Sequence, residues 1–212
     1  MGMIEFLALV IVAVTGVLLV CLWLNHQASF TKPSIDEVED FVKAIRRPKL
    51  EELLDPARNQ ERRDNPDRYR REHRIIIEIL RDYFLTMLAN AAFLHNWGKT
   101  EWFDMRKHHC EYSEETIQRI RNLIRAAYLF RRIARRALLV MWIWRLSRFD
   151  ERTLFGLPDV ASLRKIAGID IIEAYAQLRR AAEALSEEYG DAGREIGQYI
   201  SMSMLGPDEI PA

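Results

Sequence analysis

The chain has 212 residues, 49% of them hydrophobic, and its 31 basic side chains balance its 31 acidic ones. This length is enough for one core-bearing domain plus an anchor, and a neutral chain has no overall field that would recruit nucleic acid, which is therefore not expected as a partner. The charge is uneven, however: residues 113–152 carry ten basic and four acidic side chains, whereas residues 153–212 carry five and ten. We therefore expect the last third of the chain to pack against the basic segment and to offset its charge.

An uncharged stretch near the start of the chain predicts a transmembrane anchor over residues 1–25. Its 19 apolar residues, Phe6 to Leu24, read FLALVIVAVTGVLLVCLWL. As a helix this stretch would extend about 28 Å, which is close to the hydrocarbon thickness of a bilayer. A cleaved signal peptide is disfavoured because no Lys or Arg precedes the stretch, and a cut after Ala28 would put His26 where a small residue is required.

The orientation of this anchor follows from the basic residues beside it. Lys32 and Lys43 follow the span, whereas no basic side chain precedes it. Because the basic side of a span is normally cytoplasmic, the sequence predicts a single-pass protein, as in a bacterial inner membrane, with its C-terminal domain in the cytoplasm. Cys21 lies within the span, so Cys110 has no intrachain partner and no structural disulfide is expected.

The remainder is predicted to be all-α: a helical bundle of about five or six helices, because helix start signals recur and no segment alternates convincingly with period two. We divide it into short helices and a charged linker over 26–65, the bundle domain over 66–200, and a flexible tail over 201–212. The tail assignment rests on Gly206, Pro207 and Pro211.

Residues 26–65 contain two helix start signals. Ser34 with Glu37 forms a capping box, which predicts a helix from residue 35 to about Arg47. Pro48 then suits the first turn of a short helix that ends at Leu54. The following residues, 55–72, are mostly charged, and we interpret them as a solvated connection.

Asn65-Pro66 opens the first long helix, which is predicted to run to about Trp97 and to end at Gly98. Its segment from Tyr83 to Gly98 carries no charge, so we expect this helix to be the buried centre of the domain. The predicted apolar stripe consists of Ile76, Leu80, Tyr83, Met87, Ala91 and Leu94.

Ser113 opens the second long helix, predicted to reach about Ser147. Its apolar stripe is Ile120, Ile124, Ala127, Ala134, Leu138 and Met141, and its arginine stripe is Arg121, Arg125, Arg132 and Arg136. This pattern predicts an amphipathic helix whose charged stripe faces outward or meets acidic partners, and whose apolar run Ala137–Trp144 is a buried end. A helix lying on the anionic inner leaflet is the alternative, and nucleic-acid contact is less favoured.

Pro158 is expected to start a shorter helix that ends at Gly168. Asp170 is expected to start a last main helix that ends at Tyr189. On that last helix the apolar residues Ile171, Tyr175, Leu178, Ala182, Leu185 and Tyr189 follow the spacing of a coiled-coil seam. Fewer than three heptads are present, so a bundle face is favoured over an independent zipper.

Two groups of residues could carry chemistry. Glu78 and Asp82 share one side of the first long helix, where they could act as acid and base, although we favour pairing with arginines of the facing helix. The second group, potential ligands or an activated thiol, consists of His95, His108, His109 and Cys110. Its spacing matches no metal motif, so the sequence predicts no metal, no cofactor and no catalytic residue.

Aromatic residues beside Gly98, namely Trp97, Trp102 and Phe103, either fill the end of the domain or form a docking patch for a partner or for lipid headgroups. Together with Arg131, Arg132, Arg135 and Arg136 they are the predicted membrane or partner surface. The leading hypothesis is a membrane-anchored scaffold, adaptor or accessory subunit that is not an enzyme and that holds a protein partner at the membrane. The alternatives are a membrane-tethered enzyme or metal or haem binder, and a domain that senses anionic lipid.

Overall fold

The structure is a computed structural model of the chain, and it describes residues 37–63, 66–107, 112–146 and 159–204. These residues all belong to one compact unit, Lys32–Ala212. The predicted span Phe6–Leu24 and the capping residue Ser34 lie outside the described residues. Within the described ranges, no helix combines the length and the apolarity that crossing a bilayer requires.

The described residues are mostly helical, which confirms the predicted all-α helical bundle. In chain order the helices are α1 (Val38–Phe41), α2 (Arg47–Leu54), α3 (Pro56–Arg63), α4 (Pro66–Lys107), α5 (Glu114–Leu146), α6 (Ile171–Ser186) and α7 (Gly190–Ser203). Two 3₁₀ helices, Val160–Arg164 and Glu187–Tyr189, lie before and after α6, and β1 (Lys165–Ile166) pairs antiparallel with β2 (Ile169–Asp170).

The two longest helices, α4 and α5, form an antiparallel pair at the centre of the unit. His73 near the start of α4 lies against Trp144 near the end of α5, with ring centroids 6.5 Å apart. The predicted apolar stripes of both helices are buried apart from Tyr83 and Ile124, which are partly exposed. Burial of these stripes supplies the main hydrophobic stabilisation of the pair, because each large apolar side chain removed from water contributes about 1.5–3 kcal/mol.

Gly98 does not end α4, and the prediction that it would is wrong. The helix continues to Lys107, and Gly98 lies in its interior facing α5. A Cβ atom on Gly98 would lie 3.0 Å from Ile124 Cγ1 and 3.4 Å from the side chain of Leu123. The glycine therefore allows the two helices to approach closely, which outweighs its low helix propensity.

The helix α6 packs on α5 through the predicted seam. Ile171, Tyr175, Leu178, Ala182 and Leu185 are buried, while Tyr189 lies just beyond α6 and is partly exposed. Asp170 caps the helix by accepting hydrogen bonds from the backbone of residues 172 and 173. The Tyr175 ring contacts Phe130 of α5 at a centroid distance of 4.9 Å. This confirms the interpretation of the seam as a bundle face.

The segment before α6 differs from the predicted helix ending at Gly168. Val160–Arg164 is a 3₁₀ helix, and the chain then turns through Ala167 and Gly168, both with positive φ, into the short hairpin β1–β2. Asp159 caps the 3₁₀ helix by accepting a hydrogen bond from the backbone of Ala161. The left-handed conformation at Gly168 suits glycine and explains why a turn, rather than a helix end, forms there.

The N-terminal helices also differ from the prediction. Helix α1 ends at Phe41 instead of Arg47, because the next residues are extended and bond to other elements. The Asn90 side chain of α4 accepts from Lys43 N at 3.0 Å and donates to Lys43 O at 2.8 Å. Helix α2 begins as predicted, with Pro48 in its first turn.

The charged stretch after α2, predicted as a solvated connection, contains α3. Asp55 Oδ1 accepts a hydrogen bond from Ala57 N at 3.0 Å, and Pro56 stands in the first turn. A capping side chain followed by proline is enough to start a helix without an apolar stripe. The predicted connection is therefore wrong over residues 56–63.

Helix α7 packs closely on the end of α6. A Cβ atom on Gly193 would lie 1.9 Å from the backbone oxygen of Ser186, so no larger residue fits there. The helix extends to Ser203, and the next residue, Met204, is buried and forms a bridge with Ile45. Helical and buried residues therefore continue through residue 204, beyond the predicted start of the tail at residue 201, and residues 205–212 lie outside the described ranges.

Candidate functional site

The outward side of α5 forms an exposed basic surface, which we call the basic face. It consists of Arg121, Arg125, Tyr128, Leu129, Arg132 and Arg136, all of them exposed. This confirms that the arginine stripe points outward. Tyr128 is 63% exposed and Leu129 37% exposed, so the face presents apolar area between its positive charges.

Among the described residues, the acids of the last third do not neutralise the basic face, although α6 packs on α5 as predicted. The acids of α6 pair within their own helix: Glu173 with Arg180 at 2.5 Å and Glu183 with Arg179 at 3.4 Å. Within the part of the chain that the structure describes, the expected charge offset is limited to one arginine of α5. Arg119 contacts acidic residues just beyond α6, Glu187 at 3.0 Å and Glu188 at 3.2 Å.

A shallow groove of about 490 Å³ runs between α5 and α6 beside the basic face. Arg125 and Leu129 of the basic face line its edge, and its walls include the small residues Ala126, Ala181 and Ala184. Arg125 has no carboxylate partner among the described residues. The groove therefore continues the basic face with both cationic and small apolar lining residues.

The three aromatic residues near Gly98 do not form one docking patch, because α4 continues through them and turns them in different directions. Trp97 is fully buried and donates from Nε1 to Glu101 Oε1 at 3.0 Å, so its assignment to the surface is wrong. Trp102 is partly exposed, with the guanidinium of Arg121 5.2 Å from its ring centroid. Phe103 is 59% exposed, and it alone of the three is a large exposed surface.

The four arginines predicted as one surface, Arg131, Arg132, Arg135 and Arg136, fall into two pairs. Arg132 and Arg136 belong to the exposed basic face, whereas Arg131 and Arg135 are partly buried. Residues four apart share a side of a helix, and adjacent residues differ by about 100°, so the sequence contained the signal for this division.

Arg131 and Arg135 belong to a second arrangement, which we call the His95 cluster: His95 and Lys99 of α4 with Arg131 and Arg135 of α5. His95 is only 6% exposed, and its Nδ1 lies 3.0 Å from Arg131 Nη1. Because a guanidinium only donates, Nδ1 accepts and the imidazole proton resides on Nε2. Sequence reasoning considered His95 as a metal ligand and missed Lys99.

Burial and three neighbouring positive charges act together on His95. Burial lowers its pKa, and Arg131, Lys99 and Arg135 lower it further, to about 4. The imidazole is therefore neutral near pH 7. Burial and the charge of Arg135 likewise lower the pKa of Arg131. Every charge that shifts these two pKa values is positive.

Both members of the predicted carboxylate pair, Glu78 and Asp82, are exposed. Glu78 pairs with Arg74 at 3.6 Å and Asp82 with Arg81 at 3.0 Å, each within α4. The expected pairing with arginines of the facing helix is therefore wrong. An exposed carboxylate in water lacks the desolvation that acid–base work at neutral pH requires.

The remaining ligand candidates, His108, His109 and Cys110, lie outside the described residues. Within the described part of the chain, no three His, Cys, Asp or Glu side chains come together as a metal site would require. Among the described residues, the basic face is therefore the leading feature for binding. No family model, no curated protein and no solved structure matches this chain.

Proposed function

We propose that this chain is a membrane-anchored, non-catalytic helical protein that acts as a scaffold, adaptor or accessory subunit and docks an acidic protein partner on its basic face. The predicted anchor over residues 1–25 would hold the helical unit at the cytoplasmic side of the membrane. The partner's acidic residues would then approach α5 from its exposed side.

The observation that carries this proposal is the exposed charge of the basic face. Arg125, Arg132 and Arg136 have no carboxylate partner among the described residues, so their charge is available to another molecule. Exposed tyrosine beside arginine is the composition favoured at protein interfaces. Complementary charge across an interface speeds encounter and excludes wrong partners.

The test is a charge reversal on the basic face of the full chain. In Arg125→Glu/Arg132→Glu/Arg136→Glu we expect the partner, recovered from membranes in gentle detergent and quantified by mass spectrometry, to fall by about tenfold or more. Each exposed charge pair contributes about 0.2–1 kcal/mol, and reversal adds repulsion to the loss of attraction.

The matched control reverses three exposed arginines elsewhere, Arg47, Arg74 and Arg194, which pair with acids of their own helices. It changes net charge equally and should retain the partner. Identical recovery with all three proteins, or isolation of the wild type as a monomer only, would contradict the proposal.

An anionic lipid surface is the second candidate for the basic face, favoured by Tyr128 and Leu129 lying exposed among the arginines. The same triple variant separates the two candidates. If it keeps its protein partners but no longer sediments with phosphatidylglycerol vesicles at low salt, the basic face binds lipid and the adaptor proposal fails for this surface.

A further inference from the structure

Two arginines lie against the ring of Trp102, near the end of α4 and the start of α5. The guanidinium carbon of Arg106, one turn later on α4, lies 5.4 Å from the ring centroid, and that of Arg121 on α5 lies 5.2 Å from it. Both arginines are exposed and Trp102 is partly exposed. We call these three residues the Trp102 site. Attraction of each cation to the indole ring keeps two like charges beside one another at the surface.

The positive charges of the Trp102 site are not neutralised within the ranges that the structure describes. Arg106 and Arg121 form neither an ion pair nor a hydrogen bond with any described residue, so no described acceptor occupies the edges of their guanidinium groups. Lys99, three residues before Trp102 on the same side of α4, is a third exposed cation without a described carboxylate partner. The site therefore presents donors and positive charge to an anion.

Phe103 adds an exposed apolar ring beside these charges. It follows Trp102 on α4 and is 59% exposed. Arg106 comes four residues after Trp102 and three after Phe103, so the two aromatic rings flank the same arginine. Aromatic rings beside arginine suit a membrane surface, because the rings enter the boundary between headgroups and acyl chains while the guanidinium attracts anionic headgroups.

We propose that the Trp102 site docks the helical unit on an anionic lipid bilayer. Arg106 and Arg121 would donate to headgroup phosphates, and Phe103 would enter the headgroup region. The inference rests on the proposed position of the unit at the membrane but not on the acidic protein partner. Of the residues of the basic face, the site includes only Arg121.

The open shape of the site favours a bilayer over a small anion. Small ligands bind in concave pockets that enclose most of their surface, whereas Arg106, Arg121 and Phe103 are all exposed. A bilayer presents many phosphates in one plane and needs no pocket. Its headgroup region also removes the Phe103 ring from water, which a free phosphate ion cannot do.

The test follows the fluorescence of Trp102 in the full chain, reconstituted in nanodiscs with and without a brominated lipid that quenches tryptophan on contact. Nanodiscs of phosphatidylcholine are compared with nanodiscs that also contain phosphatidylglycerol. Each protein is compared with its own Trp102→Phe version, so that the difference reports on one of the five tryptophans. We expect quenching of Trp102 in phosphatidylglycerol but not in phosphatidylcholine alone, and we expect it to decrease as salt is added.

Two double variants with the same change in charge locate the contact. An arginine near an anionic surface contributes about fivefold to its occupancy, so Arg106→Gln/Arg121→Gln should dock about 30-fold less and lose the quenching of Trp102. The control is Arg132→Gln/Arg136→Gln, whose arginines also have no carboxylate partner among the described residues. They lie about 16 Å or more along α5 from Arg121, beyond the Debye length of about 8–10 Å, so the control should keep the quenching.

Three results overturn the docking proposal: equal quenching in both kinds of nanodisc, equal loss in the two double variants, or no loss in Arg106→Gln/Arg121→Gln. A chain that enters both kinds of nanodisc without quenching at Trp102 overturns the docking alone, whereas a chain that enters neither overturns the proposed anchoring as well. If Arg106→Gln/Arg121→Gln keeps its quenching but loses a protein partner in native membranes, the site belongs to that partner and the proposal is also overturned.

Discussion

Arg131 and Arg132 are adjacent in sequence, yet α5 gives their charges different surroundings. Arg132 points into solvent on the basic face, where water screens its charge and a partner can reach it. Arg131 points toward α4 and contacts the His95 imidazole at 3.0 Å. Arg132 therefore suits a surface contact that salt weakens, whereas Arg131 serves a contact between the two long helices.

The neutral state of His95 predicts a pH dependence of stability. Its pKa is about 4 in the folded chain and about 6.5 when unfolded, so between these values the unfolded chain binds more protons. The contribution of His95 to the free energy of unfolding is therefore complete above about pH 6.5 and is lost as the pH falls toward 4. The loss amounts to roughly 3 kcal/mol.

The measurement is urea unfolding at several pH values between 4 and 7 for wild type and His95→Gln. The glutamine amide oxygen can still accept from Arg131 but does not titrate, so the variant should lose less stability over this range. Arg131→Gln should raise the pKa of His95, because it removes a positive neighbour. If wild type and His95→Gln lose the same free energy of unfolding between pH 7 and 4, another titrating group causes the loss.

At the scale of the elements, the periodicity of the apolar residues predicted which side of each long helix is buried. The stripes of α4 and α5 and the seam of α6 recur every three or four residues, so their buried faces could be read from the sequence. The capping residue Asp170 was equally legible. These features are local, and the structure confirms them.

Features that depend on contacts between elements could not be read in this way. Gly98 looked like a helix end, but whether glycine ends a helix or faces a neighbouring one depends on Ile124, 26 residues later. The His95 cluster required knowing which turn of α5 lies against which turn of α4. The basic face was predicted as a stripe, whereas the absence of carboxylate partners for Arg125, Arg132 and Arg136 among the described residues depends on the internal pairs of α6.

Gly193 and Gly98 both lie at contacts between helices, but replacing each by alanine should change the free energy of unfolding by different amounts. Gly193→Ala should lower the free energy of unfolding by about 2–4 kcal/mol, because the new methyl group meets the backbone of Ser186 and not a movable side chain. Gly98→Ala, the matched control, meets only side chains, and a gain in helix propensity of about 1 kcal/mol offsets its crowding. Urea unfolding followed by tryptophan fluorescence checks both. A cost for Gly193→Ala no larger than for Gly98→Ala would contradict the close α6–α7 contact.

At the scale of the whole molecule, hydrogen bonds hold the N-terminal segment, residues 39–45, to the bundle. The partners are Tyr199, Ser203 and Asn90. The Tyr199 hydroxyl of α7 donates toward Glu39 O at 3.0 Å and Val42 O at 2.9 Å. Ile45 N donates to Ser203 O at 2.8 Å. Residues 39–45 are thus fixed to the last helix of the unit.

Asn90 is the central link in this arrangement, because its side chain joins Lys43 to α4 and also donates to the Tyr175 hydroxyl of α6 at 2.7 Å. Asn90→Ala should lower the free energy of unfolding by about 2–4 kcal/mol. The buried Tyr175 hydroxyl loses its partner at a cost of about 1–3 kcal/mol, and the two part-buried backbone groups of Lys43 lose theirs at a smaller cost, because water can reach them. Tyr175→Phe removes only one of these bonds and should cost about 1 kcal/mol. Asn122→Ala, on the exposed side of α5, is the control and should stay within about 0.5 kcal/mol of wild type.

Hydrogen exchange can show whether Asn90 holds residues 42–46 in place or only adds to the overall stability of the unit. If the side chain holds the segment to the bundle, amide hydrogen exchange in residues 42–46 should accelerate in Asn90→Ala but not in Tyr175→Phe, because the tyrosine change leaves both bonds to Lys43 in place. Uniform acceleration in both variants would mean that Asn90 contributes only to overall stability. Selective release of residues 42–46 would instead identify Asn90 as the side chain through which the segment after the proposed anchor is held to the helical unit.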